Sequence, residues 1–429
     1  MKKFISTLLS AIVPLFLFAQ AGHIMQGIGA TNMSMGGAAT AQPLDINGAL
    51  HWNPAALSAF DKKILSVNAG MFFSSPELSS TVPTPGGPMS GVTKDDRGIS
   101  IMPAVAMVWG KKNSKHTLGL SAFGISGFGV TFPQSNSNPI NMPQNSGGFG
   151  HIESDYQLMQ VGITYSYKIS DKVSIGIAPT FNYAALELAP NPLASPSSEK
   201  GYPVSDKASA FGAGGQVGIY YNSGEGLKLG ASYKSQQYFT DFIFNNKYLD
   251  GSTAPDVKFQ MNYPAIFSAG IGFSKGLIDA AFDYRYVTYE NTQGFEAKGW
   301  TNNASVKGFG WNNISVVSAG LQYKGIKKMP LRAGYTFSSN PISSELAFFS
   351  TPATAIIKNA FQFGFGYEFS NKVTLNAVYH HGSSSGSTSG PLLSPMMVSG
   401  SNPYGAVPGS LVSYKMTTDM LMFGINYHF

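Results

Sequence analysis

The chain has 429 residues and a formal net charge of +6, with 49 glycines, 13% aromatic residues, 12% charged residues and no cysteine. The charged fraction is about half of the roughly 25% typical of soluble domains, whereas a disordered chain would be more charged and less hydrophobic. This composition argues against both a soluble enzyme and a disordered chain, and the lack of cysteine excludes thiol catalysis, thiolate metal sites and disulfides.

The first 21 residues have the order of a secretion signal. Two lysines precede an apolar stretch over residues 4–18, and Ala19-Gln20-Ala21 follows as a small-x-small cleavage site. A membrane anchor is the competing interpretation, but the apolar stretch is near the short limit for a span and contains Pro14. We therefore expect export with cleavage of residues 1–21, with Ala19 as the alternative last residue removed.

Residues 22–62 form the next unit of the chain. They are nearly uncharged and rich in glycine and alanine, and they include Gly36-Gly37-Ala38-Ala39 and Asn53-Pro54-Ala55-Ala56-Leu57. A flexible tail would be more charged and less apolar. The segment is therefore predicted to be compact, with a few short helices.

From residue 63 onward, segments in which every second residue is apolar recur along the chain. Phe361, Phe363 and Phe365, for example, alternate with Gln362 and Gly364. Period two indicates strands with one apolar face. We predict fourteen of them, at residues 63–73, 98–109, 115–132, 153–168, 172–187, 209–222, 226–240, 256–274, 276–291, 312–324, 329–340, 358–369, 372–383 and 412–429.

The connections between these strands alternate strictly between short turns and long loops rich in Pro, Ser, Asn and Gly. A soluble sandwich would also alternate along its strands, but its strands are usually only five or six residues long. An even number of long strands with short turns on one side is typical of an outer-membrane barrel. The sequence therefore predicts an all-β fold, a 14-stranded antiparallel transmembrane β-barrel over residues 63–429.

The side chains of an eight-stranded barrel only just fill its lumen. A fourteen-stranded barrel is therefore either an open pore or is blocked by another segment of the chain. Residues 22–62 are predicted to be this plug, or hatch. The third strand contains Gly124, Gly127 and Gly129 around Ser126 and Phe128. Glycine inside a strand indicates a bulge or a close approach of another segment, so we predict a kink here.

Two further groups of residues are candidates for binding a ligand. A carboxylate headgroup would need a cation facing the lumen, and charge pairing between hatch and wall is the alternative role; the candidates are Lys228, Lys234, Arg285 and Arg332. Apolar side chains in the long loops could form an entrance groove, with packing within the loops as the alternative; these are Leu346, Phe348, Phe349, Leu392 and Leu393.

Several short motifs, taken in order, resemble the FadL-type family of outer-membrane transporters for long-chain fatty acids and other hydrophobic compounds. The glycine-rich opening with Asn53-Pro54-Ala55 resembles the hatch of that family, and Ser126-Gly127-Phe128-Gly129 lies at the place of its third-strand kink. The later strands that resemble the family are Gly230-Ala231-Ser232-Tyr233-Lys234-Ser235, Leu331-Arg332-Ala333-Gly334-Tyr335, Tyr379-His380-His381-Gly382 and Phe423-Gly424-Ile425-Asn426-Tyr427-His428-Phe429.

The resemblance implies a transport mechanism in the bacterial outer membrane. A hydrophobic ligand would collect among the loops, pass to a site inside the barrel and leave sideways into the membrane lipid when the hatch moves. Asn53, Pro54 and Ala55 would form the hatch gate, and the kink would form the lateral opening. The protein would act as a monomer without a cofactor. Phe429 resembles the terminal residue read by the barrel-assembly machinery.

Other functions are weighed against transport. Gly382-Ser383-Ser384-Ser385-Gly386 matches a nucleophile elbow formally, but that motif needs a following helix, and a Ser/Gly-rich loop follows here. We therefore expect no enzyme activity and no metal site, and the absence of a basic run argues against nucleic acid. Aromatic hydrocarbons remain alternative ligands, and a secretion-associated component of the same family remains an alternative role. A diffusion porin should lack residues 22–62.

Overall fold

The computed structural model describes residues 22–429, and the predicted secretion signal lies outside them. Within this range the chain forms twenty β-strands and two short α-helices. In chain order the strands are β1 (Lys63–Val82), β2 (Met89–Lys94), β3 (Ile99–Trp109), β4 (His116–Phe132), β5 (Ile152–Lys168), β6 (Val173–Ala189), β7 (Val204–Ser205), β8 (Ala208–Asn222), β9 (Leu227–Lys234), β10 (Tyr238–Phe239), β11 (Phe242–Lys247), β12 (Thr253–Phe259), β13 (Ile266–Lys275), β14 (Ile278–Val287), β15 (Ile314–Tyr323), β16 (Leu331–Ser338), β17 (Asn359–Glu368), β18 (Val373–Ser383), β19 (Thr388–Gly390) and β20 (Leu411–His428).

Fourteen of the described strands form a closed antiparallel barrel, as the sequence predicts. The last strand pairs with the first from His428 opposite Ile64 to Leu411 opposite Thr81, so the sheet has no free edge where it closes. The other strands extend barrel hairpins (β2, β10 and β19) or form a separate small sheet of β7, β11 and β12.

The two faces of the barrel wall differ in polarity. On β5, Val161 and Ile163 point outward and are each 48% exposed, whereas Gln160 and Thr164 point inward and are buried. The other barrel strands repeat this apolar outer belt, which suits contact with lipid. No helix within residues 22–429 has both the length and the apolar character needed to cross a membrane.

One predicted strand is divided between two different sheets in the structure. The prediction at 256–274 joins β12, which belongs to the small loop sheet, to the barrel strand β13. Between them, Tyr263 exchanges backbone hydrogen bonds with Gln237, and Pro264 follows. The alternating pattern runs through both elements, which is why the break was not predicted. The remaining connections keep short turns at one end of the barrel, the short-turn end, and long loops at the other, the long-loop end.

The hatch, residues 22–62, lies inside the barrel and most of its side chains are buried. It contains α1 (Ala30–Ser34), α2 (Ile46–Trp52) and a 3₁₀ helix (Pro54–Ala59). Asp45 caps the N-terminus of α2, and its carboxylate accepts a hydrogen bond of 3.0 Å from the N–H of Gly48. These short elements lie in the lumen that fourteen strands would otherwise leave open.

Candidate functional site

Asn53, the first residue of the predicted hatch gate, joins the hatch to the barrel wall. Its side-chain amide donates hydrogen bonds to the carbonyl oxygens of Thr40, at 2.8 Å, and of Ile219 on β8, at 3.0 Å. Its side-chain oxygen accepts a 3.0 Å hydrogen bond from the N–H of Ala55 and so caps the 3₁₀ helix. One side chain therefore fixes two parts of the hatch and one wall strand together.

The wall strands beside this joint carry glycine because no side chain fits there. An ideal Cβ on Gly176 of β6 would lie 2.3 Å from the carbonyl carbon of Pro54. One on Gly218 of β8 would lie 2.1 Å from Oδ1 of Asn53. The hatch therefore packs directly on the backbone of the wall, which is a reason for glycine in a strand interior.

Arg285, one of the four candidate cations, forms a buried ion pair with Asp283 on the inner face of β14. Nη2 of Arg285 lies 2.7 Å from Oδ2 of Asp283 and donates to the carbonyl oxygen of Gly37 at 2.7 Å. The same carboxylate oxygen accepts hydrogen bonds of 2.9 Å from the N–H groups of Ala39 and Thr40. The pair thus holds the middle of the hatch against the wall.

The other three candidate cations also contact protein groups. The contacts run from Nζ of Lys228 to Oε1 of Gln42 at 2.9 Å, from Nζ of Lys234 to Oε1 of Gln160 at 3.1 Å, and from Nε of Arg332 to Oε1 of Gln322 at 2.7 Å. A ligand carboxylate would have to compete with these partners for each cation. Headgroup binding by these residues therefore stays a prediction.

The hydrogen-bonded ladder between β3 and β4 covers only the half of these strands nearer the short-turn end. It stops at the pair formed by Ala104 and Phe123. The next residue of β3, Pro103, has no N–H to donate. At the same height, the pairing of β4 with β5 shifts between Gly124 and Ser126, which marks a bulge. A gap in the wall results, at the position of the predicted third-strand kink.

The first residues of the hatch occupy the edge of β4 that β3 leaves free. The N–H of Met25 donates to the carbonyl oxygen of Ile125 at 3.0 Å, and the N–H of Gly127 donates to the carbonyl oxygen of His23 at 3.2 Å. The hydroxyl of Ser126 donates to the same oxygen of His23 at 2.8 Å. The start of the hatch therefore covers the lumen side of the gap.

A cavity of about 680 Å³ lies at the gap. Its lining includes side chains on the lumen side of the wall and others on the outer side; among them are Gly22, Met25, Ile99, Ile101, Tyr156 and Met159. The predicted kink residues Gly124, Ser126, Gly127, Phe128 and Gly129 line it as well. The cavity therefore lies within the wall, with lining residues from both of its faces.

A cluster of aromatic rings surrounds His23 beside this cavity. Ring centroids lie 4.8 to 6.4 Å from that of His23, and the rings belong to Phe128, Tyr156, Tyr263, Tyr289, Phe295 and Trp311. Nδ1 of His23 lies 2.7 Å from the hydroxyl of Tyr289. Sequence reasoning missed this cluster because its members are spread over nearly 300 residues of sequence and no local pattern links them.

Two predicted groove residues, Phe348 and Phe349, line a small apolar pocket of about 60 Å³ among the long loops. The ring of Trp300 lies 5.1 Å from that of Phe349. Burial raises the pKa of Tyr202, another lining residue, to about 12. Its neutral hydroxyl donates a 2.7 Å hydrogen bond to the carbonyl oxygen of Ala304. The pocket is small and mainly apolar. The hydroxyls of its lining residues Tyr202 and Thr351 both donate to backbone carbonyl oxygens.

The other three groove candidates lie within the loop layer. Leu346 and Leu393 are buried, and Leu392 is half-buried against the same apolar core. The structure therefore brings Phe348 and Phe349 to a pocket, whereas the three leucines pack in the apolar core.

The serine motif Gly382–Gly386 lies where β18 ends, and β19 follows without an intervening helix. The strand-to-helix turn of a nucleophile elbow is thus not formed at this motif. Within residues 22–429, no group of three or more His, Asp or Glu side chains is placed to hold a metal ion.

Comparisons with known proteins give a consistent result. A family model described as "Outer membrane protein transport protein (OMPP1/FadL/TodX)" matches residues 17–389. Among solved structures, the toluene transporter TodX of Pseudomonas putida is 16% identical, with 94% of this chain and 99% of that chain covered at a TM-score of 0.68. A FadL homologue of Pseudomonas aeruginosa is 14% identical, with 95% and 99% covered at a TM-score of 0.71.

The toluene transporter TbuX of Ralstonia pickettii is likewise similar, at 14% identity, 94% and 99% coverage and a TM-score of 0.62. No curated protein matches the sequence. At identities this low, the structural similarity shows only that the fold is shared. Common descent is indicated by the match to the family model.

Proposed function

Because the chain belongs to the OMPP1/FadL/TodX family of outer membrane transport proteins, we propose that it lets hydrophobic small molecules cross the outer membrane down their own gradient. The ligand enters among the long loops and passes the aromatic cluster around His23. It then leaves sideways through the gap between β3 and β4 once the start of the hatch has moved. The observation that carries this proposal is the cavity of about 680 Å³ at the gap, which has lining residues on both sides of the wall.

Lateral release follows from the energetics of an apolar ligand. Each methylene group gains about 0.8 kcal/mol when it is buried away from water. A water-filled exit to the periplasm would forfeit this gain along the whole tail, whereas the gap delivers the ligand directly to the outer apolar belt. Near the gap, Ile99 and Ile101 on β3 point outward and are strongly exposed. They form an apolar side of the exit, while charged residues, among them Arg97 and Asp155, line its long-loop end.

The ligand class has two candidates. The sequence resemblance favours long-chain fatty acids, whose carboxylate could displace the protein partners of Lys234 or Arg332. A second candidate, aromatic hydrocarbons, is favoured by the ring cluster around His23, because aromatic rings pack well edge-to-face and offset. The solved toluene transporters with the same fold are consistent with it. The gap and the hatch serve either ligand in the same way.

The hatch start offers a reversible test of this mechanism. Ile24 and Ser126 face each other as an isolated antiparallel bridge, and such cross-strand positions suit a disulfide. The chain has no cysteine of its own. The double variant Ile24→Cys/Ser126→Cys would lock the hatch start onto β4 when oxidised and release it when reduced. Each single cysteine variant is the matched control.

Uptake of labelled oleate and of labelled toluene would be measured in cells that lack their own transporters for these compounds. We expect the oxidised double variant to lose uptake and a reducing agent to restore it, with both single variants insensitive to reduction. Uptake that persists in the oxidised form would contradict gating by the hatch start. If the inserted wild-type barrel takes up neither compound, the transport proposal fails and the secretion-associated role becomes the leading one.

A further inference from the structure

The segment that joins β2 to β3, residues 95–98, closes the gap at the long-loop end. The N–H of Asp96 donates to the carbonyl oxygen of Thr131 on β4 at 2.8 Å. The N–H of Thr131 in turn donates to Oδ1 of Asp95 at 2.5 Å. Just below, the first half of β3 pairs with β1 alone. The gap is therefore bounded at this end by residues 95–98.

Arg97 reaches from this segment across β4 to β5. Its Nη1 donates to the carbonyl oxygen of Ser154 at 2.8 Å, and its Nη2 lies 2.6 Å from Oδ1 of Asp155. The guanidinium passes over Gly129, where an ideal Cβ would lie 1.3 Å from Nη1. Glycine is therefore needed at position 129 for Arg97 to reach β5, which is a more specific reason than the flexibility of a kink.

Asp155 is held by two cations and is not available to others. Nζ of Lys207 lies 2.6 Å from Oδ2 of Asp155, while Arg97 bonds Oδ1. The side chains of Arg97 and Asp155 are only 14% and 17% exposed, so salt screens their attraction less than that of a surface pair. Glu187, 3.8 Å from Lys207, and Asp95 add further negative charge. The cluster thus contains three carboxylates and two cations. Both cations are paired within it, so neither is available to bind an anionic ligand.

The cluster lies where the outer apolar belt ends. Asp155 is on the outward face of β5, and Met159, Val161 and Ile163 follow it on that face toward the short-turn end. A ligand that leaves through the gap would therefore pass directly below the Arg97–Asp155 pair.

We propose that Arg97, bonded to Asp155 and Ser154, is a latch that fixes the width of the gap and thereby the size of the molecule that leaves sideways. This inference rests on the proposed function and adds a size-determining residue to it. The physical reason is that the first half of β3 is held by one ladder only, that with β1. Without the latch, residues 95–98 are held to β4 just by their bonds to Thr131, and their backbone bond to Pro76 ties them to β1 instead. The first half of β3 can then move away from β4.

The test uses one reporter cysteine and a set of latch variants. Met102 lines the cavity, so Met102→Cys in the otherwise cysteine-free chain reports access to the gap by its labelling rate with a lipid-soluble maleimide. Arg97→Gln and Asp155→Asn each remove one partner of the pair. Gly129→Ala displaces the guanidinium without changing any charge. Lys324→Gln is the matched control, because it breaks another ion pair, with Asp279 on β14 at 3.0 Å, and neither residue of that pair lines the cavity.

We expect the labelling rate of each of the three latch variants to be at least about three times that of the wild type, because each variant loses one partly buried ion pair. The control should label at the wild-type rate. The ratio of uptake of pyrene-labelled fatty acid to uptake of oleate should rise in parallel. Resistance of the barrel to SDS at room temperature would confirm that each variant is folded.

Equal labelling rates in the wild type and all latch variants would overturn the latch. A raised rate with an unchanged uptake ratio would overturn its role in size selection. If the variants label faster but no form of the protein takes up either ligand, the transport proposal fails while the latch on the gap stands. The labelling readout therefore separates the two failures.

Discussion

The two ends of the hatch are held in different ways. The hatch seat, residues 36–59, lies on glycine backbones of the wall and is tied to it by the buried Asp283–Arg285 pair and by Asn53. The hatch start, residues 22–25, is tied to β4 by three hydrogen bonds and to Tyr289 through His23, and it lies beside a cavity of about 680 Å³. An element opens most readily where few bonds hold it. The hatch start is thus the part expected to move, with the seat as its fixed support.

The largest effect should come from breaking the ion pair at the hatch seat. Asp283→Ala would leave the guanidinium of Arg285 buried without its carboxylate and remove the acceptor for Ala39 and Thr40. Removing one partner of a buried pair costs about 3–5 kcal/mol. We expect a loss of that size in the free energy of unfolding, measured by urea titration in lipid vesicles.

The control for this prediction is Glu77→Ala, which breaks the more exposed pair with Lys415 on the outer surface. Pairs of that kind contribute about 1 kcal/mol or less. An equal loss of stability in the two variants would show that the buried pair does not anchor the hatch.

Asn53 tests the second tie of the seat. Asn53→Ala removes the bonds to Thr40 and Ile219 and the cap of the 3₁₀ helix, so we expect a loss of about 2–3 kcal/mol in the same measurement. Asn53→Asp keeps the capping oxygen but loses both amide donors. If the aspartate variant is as stable as the wild type, the bond between hatch and wall contributes nothing and only the cap matters.

Much of the fold was accessible from the sequence because a barrel wall repeats one rule. Outward side chains face lipid and inward ones face the polar lumen, so period two recurs in every strand. The rule fails where a strand belongs to another sheet. Residues 253–259 alternate like a barrel strand, yet they pair with β11 in the loop layer. Alternation indicates that a strand has one apolar face, but it does not indicate which sheet the strand belongs to.

The site was less accessible because its contacts join distant parts of the chain. The glycines of β4 marked the gap, and Pro103 on the neighbouring strand was a second signal that went unused, since proline cannot donate to a ladder. Arg97 and Asp155 are 58 residues apart, and no sequence pattern gives the position of a loop over a strand. The same limit applies to Asp283, whose role depends on Thr40.

Wall glycines beside the two ends of the hatch should differ in how much stability is lost when a methyl group is added. Gly176→Ala would push Cβ to 2.3 Å from the carbonyl carbon of Pro54, whereas Gly124→Ala at the gap would meet nothing closer than 3.6 Å. We expect a loss of about 1–3 kcal/mol at the seat, as for overpacking of a core, and a much smaller change at the gap. Thermal unfolding of the two variants checks this, and similar shifts would mean that the seat yields as easily as the gap.

The smallest predicted effect compares the same bond at both ends of the hatch. Ser126 donates its hydroxyl to the carbonyl oxygen of His23 at 2.8 Å, and Ser166 donates to that of Ala55 at 3.0 Å. Each serine-to-alanine change removes about 1 kcal/mol of hydrogen bonding. At the start, where few other bonds remain, this should speed amide exchange of Met25 about five-fold. At the seat, exchange of Ala55 should hardly change, because the bonds of Asn53 still hold it. If Ser166→Ala speeds exchange as much as Ser126→Ala does, the two ends are held alike and the hatch has no separate moving part.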